Sequence, residues 1–306
     1  FRTDVSNINW IKEKEDIPKF KYMSFDLEVY SHTETTMPNA DNDEDVIFQI
    51  GVSVGEDKNP KNILLTLMSE KNECCWDKIE NVLLYKSEKE LLQGFCDLIL
   101  REDPHILMGY NIFGFDIPYL VKRCDRYNIP VRKIGKPKLK EAEYKELSWS
   151  SSAYAYQEFH YLDLEGVIFV DLLPIIKRDY KFNNYKLKTV STYFLGETKD
   201  PLTAKDIFEA YRIDVRDEGK GKKILRCGKY CVQDAKLVAL LFIKLQTWIG
   251  LLEMAKICNV DIMKLFVSGQ QIKVFSQIFR KCFQENRLVD SFSSITIPDN
   301  INFHIE

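Results

Sequence analysis

Nothing in this chain of 306 residues reads as a membrane span, a secretion signal or a zinc-binding knuckle. The most apolar stretch, Leu237 to Ala255, is interrupted by Lys244, Gln246 and Glu253, which indicates a buried helix and no membrane partner. The eight cysteines include no C-x2-C pair, and the close pair at helical spacing is Cys227 with Cys231. Reduced, mostly buried thiols of an intracellular protein are therefore expected. A net charge of −3 excludes a global basic field, although local basic stretches remain available and a site built of acids lowers the sum. Internal repeats and low-complexity tracts are missing, so neither a solenoid nor a long disordered segment is indicated. The opening Phe1-Arg2-Thr3-Asp4 carries neither an initiator Met nor a signal-peptide pattern, and residues 1–20 read as a lead-in from a domain that precedes them. What is present is globular in composition, 45% apolar and 29% charged, enough for one large α/β domain or two ordinary ones.

Periodicity orders the chain. Met23, Phe25, Leu27 and Val29 alternate with Ser24, Asp26, Glu28 and Tyr30, the pattern of a half-buried strand over 21–30. Similar runs cover 45–54 and 62–67, and with the acidic loop 33–45 they suggest an antiparallel meander opening a mixed sheet. Ser87-Glu88-Lys89-Glu90 is a capping box before the stripe Leu91, Leu92, Phe95, Leu98 and Ile99. Asp103-Pro104 ends that helix, Ile106-Leu107-Met108 reads as a buried strand, and Asp116-Ile117-Pro118 opens a further helix. A strand is expected over 167–170, a helix over 187–195 stopped by Gly196, a long one over 225–247, and a last one over 269–284. The stretch 131–163 is less regular, with basic residues at 132, 133, 136, 138 and 140.

The informative residues are acids. Asp26 and Glu28 project from one strand face, where their mutual repulsion invites a cation, and hard divalent ions favour oxygen ligands. Asp116 falls at a strand-to-helix junction, a common place for function in α/β sheets. Tyr230 and Asp234 are one helical turn apart and face the same way. Acids supplied by three separate segments suit a two-metal phosphodiesterase, in which two ions activate water and stabilise the leaving oxygen. Taken singly, each has a plain explanation: solvated surface acids, turn chemistry around Asn111 and Asp116, or a hydrogen-bonded pair on a helix surface.

Together, and in this order, the segments resemble the three exonuclease motifs of family B DNA polymerases: D-x-E at Asp26 and Glu28, N-x3-F-D at Asn111, Phe115 and Asp116, and Y-x3-D at Tyr230 and Asp234. The likeness continues through Phe169-Val170-Asp171-Leu172-Leu173-Pro174, Arg178-Asp179-Tyr180-Lys181, Asn184-Tyr185-Lys186-Leu187 and Ser268-Gly269-Gln270-Gln271, especially towards the delta-type branch and its relatives in large DNA viruses. It covers roughly 21–285. It implies a ribonuclease-H-like α/β fold, a mixed central sheet with helices on both faces. The implied division is an exonuclease domain over 21–260 and a helical connection over 261–306 towards a polymerase palm, whose motifs this chain does not contain.

By that resemblance Asp26, Glu28 and Asp234 hold a first Mg2+ or Mn2+, Asp26 bridges to a second, Asp116 acts on the second through water, and Tyr230 orients the attacking water. Asn111 and Phe115 would meet the terminal nucleotides, Phe115 by packing on a base or sugar, or else as a core ring. Leu27 would wedge against a terminal base, its plain alternative being core. Lys181 and Lys186, with Lys188, fit a path for unpaired DNA, held by backbone contacts and stacking. Tyr154, Tyr156, Phe159 and Tyr161 alternate as in a hairpin, either parting primer from template or pairing aromatics across a surface sheet. The implied activity is 3′→5′ removal of deoxynucleoside monophosphates from a frayed primer end, which selects mispairs because they melt more cheaply. Implied partners are a single-stranded DNA 3′ end, the remaining domains of the parent polymerase and, through those, a sliding clamp or accessory subunits. The implied location is the nucleus for a cellular parent, and the nucleus or a cytoplasmic replication site for a viral one. Two other classes remain: a stand-alone exonuclease trimming RNA ends, and a silent exonuclease-like scaffold, which loss of an acid would mark.

Overall fold

The structure is a computed structural model and describes residues 19–33, 36–67, 76, 79–136, 140–149, 156–197, 202–212 and 220–289. Most of the expected lead-in, together with Cys74, Cys75, Lys138 and Tyr154, lies outside these residues. The chain divides into two compact units, Phe1–Gly250 and Leu251–Glu306.

In the first unit β1 (Tyr22–Val29), β2 (Ile47–Gly55) and β3 (Lys61–Leu67) form the expected antiparallel meander. Three further strands, β4 (Val82–Tyr85), β5 (Ile106–Gly109) and β8 (Ile168–Asp171), join in parallel to give one mixed sheet in the order β4-β3-β2-β1-β5-β8. Between β5 and β8 the chain makes a separate antiparallel hairpin, β6 (Glu143–Trp149) with β7 (Gln157–Asp163).

The capping box delivers α1 (Glu88–Glu102), with the Ser87 side chain accepting from the Glu90 amide. Glu88, in the first turn of this helix, is not solvated. It is buried against Arg123 of α2 (Asp116–Arg126), whose guanidinium reaches both its carboxylate oxygens and also the Ala40 and Asn42 carbonyls. The Ile47 amide and the Tyr127 hydroxyl complete that acid's partners at 2.8 and 2.9 Å.

Two expectations need correction. The sequence suggests a half-buried β1, yet seven of its eight residues are buried and Asp26 alone is intermediate. The apolar face carries Phe25 onto Phe95 of α1, ring centroids 5.4 Å apart. The polar face is covered as well, by α6 (Lys220–Lys244), because β1 is a central strand. The long helix also starts earlier than 225 and stops at Lys244, where Gln246 takes a left-handed φ of 50° before α7 (Thr247–Cys258). Among the described residues no single helix is long and apolar enough to cross a membrane.

The intervening helices are α3 (Leu172–Asp179), α4 (Leu187–Leu195), which Gly196 ends at φ 70°, and α5 (Ala204–Arg212). The second unit contains α8 (Lys264–Val267) and α9 (Gln270–Gln284), and the Ser276 hydroxyl donates to the Asn259 carbonyl at 2.8 Å.

Candidate active site

Cross-strand partners share a face of a sheet. Ser24, Asp26 and Glu28 of β1 pair with Ser53, Gly51 and Gln49 of β2, so these six positions form one polar stripe beneath α6. Several contacts dock the helix there. The Ser24 hydroxyl donates to the Ala235 carbonyl at 2.7 Å, and the Gln49 amide to the Ile224 carbonyl at 3.1 Å. Between them Gly51 lets the backbones touch: a Cβ at that position would stand 2.3 Å from the Cys231 carbonyl oxygen. This docking carries Tyr230 and Asp234 to the acids of β1. Burial, then the charges of Asp234, Glu28 and Asp26, push the Tyr230 hydroxyl well above the usual tyrosine range. At neutral pH it is a neutral phenol, able to donate one hydrogen bond and accept others.

Carboxylate oxygens of Asp26 and Glu28 and the Sγ of Cys231 lie within 4.8 Å of one another, the three-donor group found among the described residues. Cys231 is fully buried and its thiol donates to the Asp26 carbonyl at 3.4 Å. Asp116 and Asp234 do not belong to that tight group. Asp116, however, reaches the same strand, its Oδ1 accepting the Leu27 amide at 3.3 Å between the two acids. Burial pushes the Asp116 carboxyl up to about 8, the Asp171 charge adds to this, and the Leu27 amide opposes it. Buried carboxylates converging from two elements suit a hard divalent cation, so the residues fit a metal.

The turn between β5 and α2 has its own architecture. Asn111 takes a left-handed φ of 67°, which asparagine tolerates better than most residues, and its carbonyl accepts the amides of Gly114 and Phe115 at 3.1 Å. The buried Asp171 holds this turn, accepting the Asn111 and Phe113 amides at 2.8 and 3.1 Å while capping α3 through Leu173 at 2.9 Å. The His160 amide of β7 donates to the Phe113 carbonyl at 3.2 Å, and Phe159 and Tyr161 pack around the Phe113 ring.

A cleft of about 560 Å³ is lined by Tyr110, Asn111, Tyr185, Lys186, Lys188 and Tyr230 among others, so Tyr230 is the residue of the site that reaches it. Thus Asn111, Lys186 and Tyr230 come together, and Lys181 is exposed outside the cleft lining. Phe115 is half-buried with its ring 5.4 Å from Tyr119, and Leu27 is 6% exposed, the core position of its two alternatives. Sequence reasoning assigned no role to Gly51, Asp171 or Cys231. Gly51 left a signal, since a glycine inside an alternating strand marks a close backbone approach. Asp171 left a weaker one, an acid just before a helix with proline in its first turn.

A mixed sheet with acids on its central strand, on the adjoining junction and on a covering helix defines a ribonuclease-H-like exonuclease fold. Residues 2–190 match the family described as DNA polymerase family B, exonuclease domain, and the chain belongs to that family. It is 45% identical over 298 residues to DNA polymerase 120R of Invertebrate iridescent virus 3, covering 92% of this chain and 26% of that protein. To the DNA polymerase of Red sea bream iridovirus it is 37% identical over 92% of this chain and 28% of that one. To the DNA polymerase delta catalytic subunit of Plasmodium falciparum it is 33% identical, with 94% and 26% covered. The chain spans about a quarter of the length of these relatives. It is an exonuclease domain of the metal-dependent kind.

Proposed function

We propose that this domain proofreads for a family B replicative DNA polymerase, releasing deoxynucleoside monophosphates from a frayed primer 3′ end. The observation that supports the reading is that Asp26 and Glu28 lie together on β1, Asp116 of α2 accepts the Leu27 amide between them, and Tyr230 of α6 feels the charges of Asp234, Glu28 and Asp26.

Asp26, Glu28 and Asp234 would hold one Mg2+ or Mn2+, and Asp26 and Asp116 would help to hold a second. When bound, such ions neutralise charge on the phosphodiester and acidify water. The protein's own groups do the remaining work. Tyr230, held protonated, orients the attacking water through its hydroxyl. Asn111 and Phe115 meet the last nucleotides, and Lys181 and Lys186 steer the unpaired backbone towards the acids. Leu27 serves this site mainly through its amide on Asp116. The β6–β7 hairpin, tied to the Asn111–Phe115 turn through His160 and Phe113, would help part primer from template. The partners are the unpaired DNA end, the other domains of the parent polymerase and, through them, a clamp or accessory subunits. The catalytic domain takes 21–260, with 261–306 leading on. Its place is wherever the parent replicates DNA, in the nucleus or at a cytoplasmic viral site.

Digestion of primer–templates with matched and mismatched 3′ ends, beside a single-stranded RNA of equal length, tests this. Faster loss of the mismatched DNA end with little RNA cleavage is expected. Preferential RNA trimming would favour the RNA-end reading, and inactivity on every substrate with Mg2+ or Mn2+ would favour a silent scaffold.

A further inference from the structure

The tightest donor group in this site is not purely oxygen. Asp26 and Glu28 share it with a thiol that comes from α6 and is wholly buried against them. Three ligand atoms within 4.8 Å can close on one ion with a slight inward shift, since zinc–sulfur and zinc–oxygen bonds are about 2.0–2.3 Å long. Magnesium keeps to oxygen and leaves a thiol alone, whereas Zn2+, Cd2+ and Co2+ accept thiolate.

We propose that Cys231 is a conditional third ligand: a thiophilic divalent cation is captured by the Asp26 and Glu28 carboxylates together with the Cys231 sulfur, and this capture blocks the exonuclease. The inference rests on the reading that Asp26 and Glu28 hold the working ions. On capture the S–H bond breaks, the sulfur electron pair forms the metal–sulfur bond, and the proton leaves to solvent without redox change. With Mg2+ the thiol stays protonated, donating to the Asp26 carbonyl. The site therefore distinguishes hard from soft ions by one side chain. Cys227, one turn earlier and also buried, is outside the donor group and serves as an internal control.

The test uses the whole chain and Co2+ without DNA, reading the near-ultraviolet thiolate-to-cobalt absorption. The wild type gains this band to saturation at one equivalent, Cys227→Ser keeps it, and Cys231→Ser loses it. Asp26→Asn, which retains every thiol, weakens cobalt binding by about tenfold or more, so the result does not depend on the folding of one variant. In Mg2+-supported digestion, each protein normalised to its own rate, half-inhibition of Cys231→Ser needs about tenfold more Cd2+. A wild type without the band, or a band that survives Cys231→Ser, overturns the proposal. Digestion without the band sinks the thiolate ligand alone; the band without digestion sinks the exonuclease reading alone.

Discussion

Replacing Gly51 by alanine adds one methyl group where β2 meets α6, and its consequence can be worked from the structure. The new Cβ would stand 2.3 Å from the Cys231 carbonyl oxygen, 2.5 Å from its carbon and 2.8 Å from the Val232 nitrogen. All three are backbone atoms in the middle of a helix, so no side chain can swing aside. Ordinary contact needs roughly 3.5 Å, and α6 must retreat by about 1 Å. Overpacking of this kind costs about 1–3 kcal/mol, a fall in Tm of several degrees for a unit this size. Activity should suffer more, because the displaced turn carries Tyr230 and Asp234; a shift of about 1 Å can cost on the order of 10²-fold. Single-turnover digestion of a 5′-labelled oligonucleotide, with circular dichroism to confirm folding, measures both. Gly250→Ala is the control, since a Cβ there meets nothing within 4 Å. A Gly51→Ala protein that digests DNA at the wild-type rate would refute the claim that this close approach sets the site.

Tyr230→Phe should slow hydrolysis by about 10²-fold while leaving the Kd for single-stranded DNA unchanged, as measured by rate and by anisotropy; an unaltered rate would remove the hydroxyl from the chemistry. Arg123→Ala leaves the buried Glu88 without its guanidinium and should cost about 3–5 kcal/mol in urea unfolding, against well under 1 kcal/mol for an exposed pair such as Lys122 with Asp41. Asp171 has its carboxyl pushed up to about 6 by burial, against an ordinary 3.8, with its three backbone amides opposing. Its folded value lies above the unfolded one, so its contribution to stability is full below about pH 4 and is lost as pH rises through 6. Asp171→Asn should flatten that part of the Tm–pH curve while lowering Tm throughout, because an amide nitrogen replaces one acceptor; an unchanged slope would contradict the assignment.

The meander, α1, the start of α2 and the helix over 187–195 were legible because each follows from local pattern: strict alternation, a capping box, a proline in a first turn, a terminal glycine. The acids of the site were legible for a different reason, the order and spacing of three segments. What stayed hidden was tertiary. Alternation predicts one wet face for β1, yet the wet-looking residues Ser24 and Glu28 are covered by a helix more than 190 residues further on in the chain. Glu88 reads as an ordinary acid in a first helical turn, and a long-range arginine makes it core. Asp171 reads as one residue of the segment between the second and third motifs, and its work becomes clear when the Asn111 and Phe113 amides point at it. Cys231 sits beside Tyr230 in sequence without hint that its sulfur faces the two acids of β1.

The central claim is that these acids form one 3′→5′ exonuclease site. The most direct measurement is the digestion ladder of a 5′-labelled single-stranded DNA with Mg2+, run with wild type, wild type plus chelator, and Asp26→Ala. The account predicts stepwise shortening from the 3′ end with deoxynucleoside monophosphates released, stopped by the chelator and slowed on the order of 10³-fold or more by the substitution. Equal digestion by wild type and Asp26→Ala, or internal cuts in place of stepwise shortening, would contradict it.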